Sequence, residues 1–599
     1  MLPLHSPTAD FQIALASALL ALVRFQRCDP ARSREYQCLA QVVHQAFRTH
    51  ETFSTLVHTV LLVAPPGLVS ATAILASSIS PSAPFVLFLC YGTYLSTLVA
   101  SVVLYRISPI HPLAPYPGPF WCRISKLWLA CIAATGTQSR WFAALHDKYG
   151  DIIRVGPNEL SIRDASLIGR CMGPSGIPKG PHFIGARLTA ADVPLVGIQD
   201  VGEHAQRRRP WARGLGTSAL KAYQPLIAKR TQQLVKRLES QQGGLRLEQW
   251  FDWFSYDLMT DMGFGGGSNQ LQDGDTDNFR KMLEYGMVIG AFFAHVPHIG
   301  VWAGLLVSAV APLDALIKYG AARATRRLAQ GSKTQDLFHF LNNEDETANA
   351  PPSVNELIQD SVLVIVAGSD TVASALTSLF FCLLKNPRTY AALQKEVDQY
   401  YPRDEDAHAA THHRDMPYLH AVIQETLRLF PPLPTGSGRQ VPHDSNGFNA
   451  GVMMLPAGTQ VYFSPWVIHR DPRNFSFPTE FWPERWLVAS GHLSLDSNTP
   501  GLLAPFHLQE PHPDSPVSKS EFNHNDAAFL AFSHGPMGCV GKGFAMQEMK
   551  TVVCALMQRF RFELKDGWDT SAFEAGYLEY FVSSRPELPV TVTRALSSG

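Results

Sequence analysis

Phe532-Ser533-His534-Gly535-Pro536-Met537-Gly538-Cys539-Val540-Gly541 sets one cysteine among closely spaced glycines, and a helix-like run from Lys542 to Phe560 follows at once. A thiolate that ligates a metal needs a turn that aims backbone N–H groups at sulfur. Glycines at 535, 538 and 541 allow the positive φ values and the close approach that such a turn requires. An isolated cysteine more often packs as a small hydrophobe. Set among these glycines, Cys539 reads instead as the axial ligand of a haem iron.

The spacing Phe-x-x-Gly-x-x-x-Cys-x-Gly resembles the haem-binding signature of the cytochrome P-450 superfamily. The resemblance implies a mainly α fold with minor β (α+β), haem b held by the Cys539 thiolate, and Phe532 and Gly535 beside the cofactor. One position departs from the pattern. The family usually has Arg or His two residues before the cysteine, bonded to a haem propionate, where this chain has Met537. Propionate anchoring is then expected from elsewhere.

At 599 residues and 46% hydrophobic content the chain exceeds one ordinary domain. A catalytic domain of this superfamily accounts for roughly 450 to 500 of them, and the surplus lies at the N-terminus. Residues 1–107 read as a membrane region. Its strongest span is 85–107, with Arg106 as the only charge, and a further apolar stretch at 56–80 carries Pro65-Pro66-Gly67. Phe11 to Val23 is short for a span, so the pattern allows one, two or three passes. Residues 108–120 hold Pro109, Pro112, Pro115, Pro117 and Pro119 and read as a stiff, extended hinge. Residues 121–599 read as the catalytic domain, with a polar, Pro- and Ser-rich surface insertion at about 490–525. Arg106, Arg123 and Lys126 after the strongest span predict a cytosolic globule, and the resemblance implies the endoplasmic reticulum membrane. A formal net charge of -1 gives no basic field for nucleic acid. Nine cysteines without paired spacing outline no disulfide framework.

Within the globule a helix predicted from about Asn355 to Lys385 carries Ala367-Gly368-Ser369-Asp370-Thr371 at its middle, where four of the five residues lower helical propensity. Such a local conflict points to function. By resemblance the small residue makes room for dioxygen, Thr371 loosens the helix and organises water, and Asp370 relays protons. Glu425 and Arg428 share a helix face at i,i+3, and Leu429-Phe430-Pro431-Pro432 and Phe481-Trp482-Pro483-Glu484-Arg485-Trp486 follow. The resemblance makes Glu425, Arg428 and Arg485 a buried, structural charge network.

His204 and Arg208 stand where the family often has Trp-x-x-x-Arg facing the propionates, and Arg439 is a third candidate contact. Arg207 and Arg209 are expected in a basic patch for an acidic redox partner. Phe183 to Ile198, Met287 to Val301 with Phe292 and Phe293, and Pro434 to Ser437 are the candidate substrate determinants.

These readings predict a membrane-anchored haem-thiolate monooxygenase acting on an apolar small molecule, a terpenoid or indole-type secondary metabolite. Lacking a flavin or Rossmann signature, the chain is expected to take electrons from NADPH through a separate flavoprotein reductase. The alternatives are a haem-thiolate isomerase or peroxide-dependent enzyme, and a non-enzymatic haem-binding sensor.

Overall fold

The computed structural model describes residues 34–76, 82–187, 193–241, 243–276, 278–305, 311–331, 335–348, 351–494 and 522–595. The stretch Phe11 to Val23, the end of the 56–80 stretch and all but the margins of the insertion at about 490–525 lie outside them.

Two apolar helices, Thr55–Ala76 and Ala83–Ile107, precede the globule and are long enough to cross a membrane. Ala83–Ile107 turns Phe88, Val99 and Leu104 outward, with Phe88 77% exposed. Hydrocarbon accepts a surface of that kind and water does not. Pro65 and Pro66 sit inside the first helix without ending it. Pro65 has no N–H for the carbonyl of Leu61, and the Tyr94 hydroxyl on the second helix donates to that carbonyl at 2.8 Å. The group that proline leaves unpaired is thus satisfied from the neighbouring helix.

The segment that follows differs from the extended hinge expected for 108–120. The N–H groups of His111, Ala114 and Tyr116 donate to the carbonyls of Ser108, His111 and Leu113. Proline's fixed φ suits the turns these bonds close as well as it suits extended chain.

A third helical run, Val354–Lys385, also has the length and apolarity of a span, but most of it is buried inside the globule. It starts where Ser353 and Glu356 cap each other, the Glu356 N–H donating to Ser353 Oγ and the Ser353 N–H to Glu356 Oε2. It is buried all round from Val372 to Leu383 because neighbouring elements cover every face. Helices Leu247–Phe264, Pro417–Leu429 and Lys542–Arg559 pack around it through Phe251, Leu376, Phe380, Leu427 and Val552.

Strands are few and short. The largest sheet runs in the order Ile152–Gly156, Glu159–Ile162, Gln460–Tyr462, Arg439–Gln440, with one parallel pairing, Glu159 opposite Gln460. Ile152–Gly156 and Glu159–Ile162 pair antiparallel as its outer hairpin. Its last strand carries Arg439, and Lys179 bridges to that residue's backbone. The fold is mainly α with minor β.

Candidate active site

The cysteine loop closes on itself. The Cys539 N–H donates to the Phe532 carbonyl and the Gly538 N–H to the Gly535 carbonyl, each at 2.9 Å. Gly541 then starts the helix Lys542–Arg559. Burial pushes the Cys539 thiol up, while the N–H groups of Gly541 and Lys542, with Arg208 and Lys179, act in the opposite direction. The loop therefore lowers the cost of negative charge on sulfur.

Of the three glycines expected at positive φ, only Gly535 has it, at 73°, and the other such residue in the loop is Ser533 at 61°. Gly535 does not border the cavity above the sulfur. A Cβ there would lie 2.0 Å from the carbonyl oxygen of Met172. Its expected place beside the cofactor is corrected to a packing role, because the loop crosses another strand of backbone at that point. Phe532 does line the cavity.

That cavity, about 410 Å³, is bounded by the Cys539 loop, the middle of the central helix and the start of the strand at Arg439. The central helix widens into a π-turn over Val366–Asp370, the local conflict that Gly, Ser, Asp and Thr announced. Ala367, Gly368 and Thr371 face the cavity. Thr371 Oγ1 donates to the Ala367 carbonyl at 2.7 Å, so its hydrogen is committed and its lone pairs remain as acceptors. The room left by the missing side chain of Gly368 is taken up by Met259, whose Cε is 2.4 Å from where a Cβ would stand.

Asp370 is not beside Thr371 on the cavity wall. It is buried behind the helix, where Arg585 bonds both its carboxylate and, at 3.2 Å, its carbonyl. Arg585 also pairs with Asp252, Asp252 with Arg280, and Arg280 with the exposed Glu284 at 2.9 Å. An expected dyad is thus one cavity hydroxyl and one carboxylate at the end of an ion-pair chain leading to the surface.

Four cationic or basic side chains converge on the loop's flank of the cavity. His204, Arg208 and Arg439 were expected, and Lys179 was not. Arg208 Nη1 donates to the Gly538 carbonyl at 2.7 Å, and Arg439 Nη1 reaches Met537 Sδ at 3.2 Å and the Ile177 carbonyl at 3.3 Å. Arg439 Nε has no hydrogen-bond partner among the described residues. Burial, with Arg439 and Arg208 adding to it, pulls the Lys179 ammonium down to about 7. Burial, then Lys179 and Arg208, pulls His204 to about 4. Buried positive charge facing a cavity without a carboxylate on its wall calls for an anionic ligand. Two propionates fit that description, and Cys539 lies on the same wall, so the donor set suits a thiolate-ligated haem. Ile177-Pro178-Lys179-Gly180-Pro181, a lysine between two prolines, was the available sequence signal for Lys179.

Behind the loop, Glu425, Arg428 and Arg485 come together with no exposed side-chain surface. Glu425 accepts from Arg428 Nε at 2.9 Å and Nη2 at 2.8 Å, Arg485 Nε at 3.1 Å, the Trp482 N–H at 2.9 Å and Trp486 Nε1 at 3.0 Å. Two cations face one anion, and backbone carbonyls answer the excess: those of His469 and Glu480 for Arg428, and of Phe477 for Arg485.

Arg207 does not join a free basic patch. It pairs with Glu356 at 3.0 Å and Asp360 at 2.8 Å, tying its helix to the central one, while Arg209 is exposed. Of the substrate determinants, Phe183, Leu195, Met287, Ala291 and Gly436 line the cavity, whereas Phe292 and Phe293 do not. Residues 188–192 of that first segment lie outside the described residues.

The family model described as Cytochrome P-450 matches residues 114–577. Cytochrome P-450 monooxygenase notG' of Aspergillus versicolor is 30% identical over 521 residues, covering 84% of this chain and 86% of the relative. Tryprostatin B 6-hydroxylase of Aspergillus fumigatus is 29% identical, covering 84% and 85%. Cytochrome P-450 monooxygenase astD of Aspergillus oryzae is 28% identical, covering 79% and 88%.

Proposed function

The chain belongs to the cytochrome P-450 family, and from that premise we propose that it inserts one oxygen atom of O2 into a neutral, largely apolar secondary metabolite of terpenoid or indole type. It is a haem-thiolate monooxygenase, an oxidoreductase that receives its electrons from a reductase. The observation that carries the substrate class is the cavity wall. It is mostly hydrocarbon and has no carboxylate among the described residues, so a protonated amine would meet no counter-charge.

Cys539 Sγ would hold the haem iron, and the haem, when bound, would supply the activation of dioxygen. Arg208, Arg439, Lys179 and His204 would hold the propionates, with Lys179 and Arg439 standing in for the donor that Met537 lacks. Thr371 Oγ1, its hydrogen committed to the Ala367 carbonyl, accepts from and so orients a water molecule in the cavity. Asp370 moves a proton to that water only by exchanging Arg585 for a solvent partner. Glu425, Arg428 and Arg485 keep the backbone behind the loop in one geometry.

Residues 1–107 anchor the protein, 108–120 connect, and 121–599 form the catalytic domain. Arg106, Arg123 and Lys126 support a cytosolic globule on the endoplasmic reticulum, served by NADPH through a flavoprotein. The reduced protein with carbon monoxide should absorb near about 450 nm, and Cys539→Ser should abolish that band. A wild-type band near about 420 nm would remove the thiolate from the reading.

A further inference from the structure

His182 lies in a short helix, His182–Ala186, and borders the cavity. The residue is 7% exposed, and neither Nδ1 nor Nε2 has a hydrogen-bond partner among the described residues. A buried polar group in that condition requires an explanation, because burial without a partner is unfavourable. Two polar groups near it are engaged elsewhere. His295, 5.7 Å away between ring centres, has Nε2 on Gln138 at 2.9 Å and Nδ1 on the Tyr462 hydroxyl at 3.4 Å. Lys126 is paired with Glu159 at 2.8 Å.

Two aromatic rings frame the imidazole. Phe581 is 5.4 Å away and Phe183 5.7 Å, and these two meet edge to face at 5.0 Å. Phe581 occupies the tip of the hairpin between Glu579–Tyr580 and Val582–Ser583 with φ of 79°, a conformation a phenylalanine adopts only when its surroundings impose it. Leu195, Met287 and Leu433 line the same cavity. Burial, with Lys126 adding to it, brings the imidazole down to about 4. At neutral pH the ring therefore offers one N–H donor and one nitrogen acceptor and carries no charge.

We propose that His182 is the specificity-determining contact for the substrate: it takes one neutral hydrogen-bonding group, an indole-type N–H, hydroxyl or amide, from a flat apolar molecule seated against Phe183 and Phe581. This rests on the monooxygenase reading above and refines its substrate class. A site that hydrogen-bonds one group discriminates against the isostere lacking it, since that ligand leaves the buried nitrogens unpaired.

Carbazole and fluorene form a suitable probe pair, equal in shape, with N–H in one and CH2 in the other. Binding to the full-chain holoenzyme is read from the shift of the haem absorption band. The expected result is a preference for carbazole of about tenfold. His182→Phe should bring the ratio close to one, with fluorene binding retained, and His182→Gln should keep a preference. Equal affinities in the wild type, or an undiminished preference in His182→Phe, would overturn the proposal. Should the phenylalanine variant fail to fold, loss of preference in a folded His182→Gln would count against it equally. The carbon monoxide band of each preparation separates this from failure of the underlying assignment, which would appear as a wild-type band displaced from about 450 nm.

Discussion

Replacing Glu425 by Gln tests the energetic role of the charge cluster behind the cysteine loop. The side chain accepts five hydrogen bonds in a fully buried place. Burial by itself would push this carboxyl up, but Arg428 and Arg485 outweigh it and bring it to about 2 from 4.5. At about 1.4 kcal/mol per pH unit, that depression is worth about 3 kcal/mol of folding stability. The folded value lies below the unfolded one. The contribution is therefore complete above about pH 4.5 and is lost as the pH falls toward about 2. A glutamine keeps the shape but removes the anion from between two buried guanidinium groups, and breaking a buried pair in this way costs about 3–5 kcal/mol. Unfolding entropy of about 2 cal/mol/K per residue over a domain of about 480 residues gives about 1 kcal/mol/K, so Tm should fall by about 3–5 °C. The assay is thermal conversion of the carbon monoxide band at pH 7 and again near pH 4, wild type against E425Q. The gap between the two proteins should narrow at the lower pH, because the wild type starts to lose there what the variant never had. A variant matching the wild type at pH 7, or a gap that widens on acidification, would refute the electrostatic account.

Thr371→Ala should lower product formed per electron pair several-fold and raise peroxide release, because the cavity loses the oxygen that orients water; unchanged coupling would dismiss this role for the hydroxyl. Lys179→Met should speed loss of haem to a scavenging apo-protein by about tenfold, the value of one charge-assisted hydrogen bond, and adding Met537→Arg should restore retention. If the lysine variant keeps its haem as well as the wild type, Lys179 is no propionate anchor.

How far the site could be read from the chain depended on the distance between its parts. Cys539, its loop and the following helix are contiguous, and Glu425 and Arg428 are three residues apart, so spacing alone marks them. The conflict at 367–371 is equally local and appears as a π-turn over Val366–Asp370. Asp370 was assigned to the cavity because its partner Arg585 stands 215 residues away, beyond any pattern. Arg207 suffered the same fate, its partners Glu356 and Asp360 being invisible to a run of three arginines. Gly535 was placed at the cofactor because a glycine's need for space does not say which neighbour requires it, and here that neighbour is the Met172 carbonyl.

By itself the sequence determined which residues could do chemistry: a cysteine in a glycine turn, a threonine in a weakened helix, and apolar helices of bilayer length. Those properties are short-range, set by backbone freedom, helical periodicity and the length of apolar runs. Tertiary structure alone decided which charges face the cavity and which are neutralised elsewhere. It put Lys179 beside Arg439 and left His182 without a hydrogen-bond partner among the described residues, because burial and hydrogen bonding depend on what the folded chain brings within about 3 Å, whatever the separation along it.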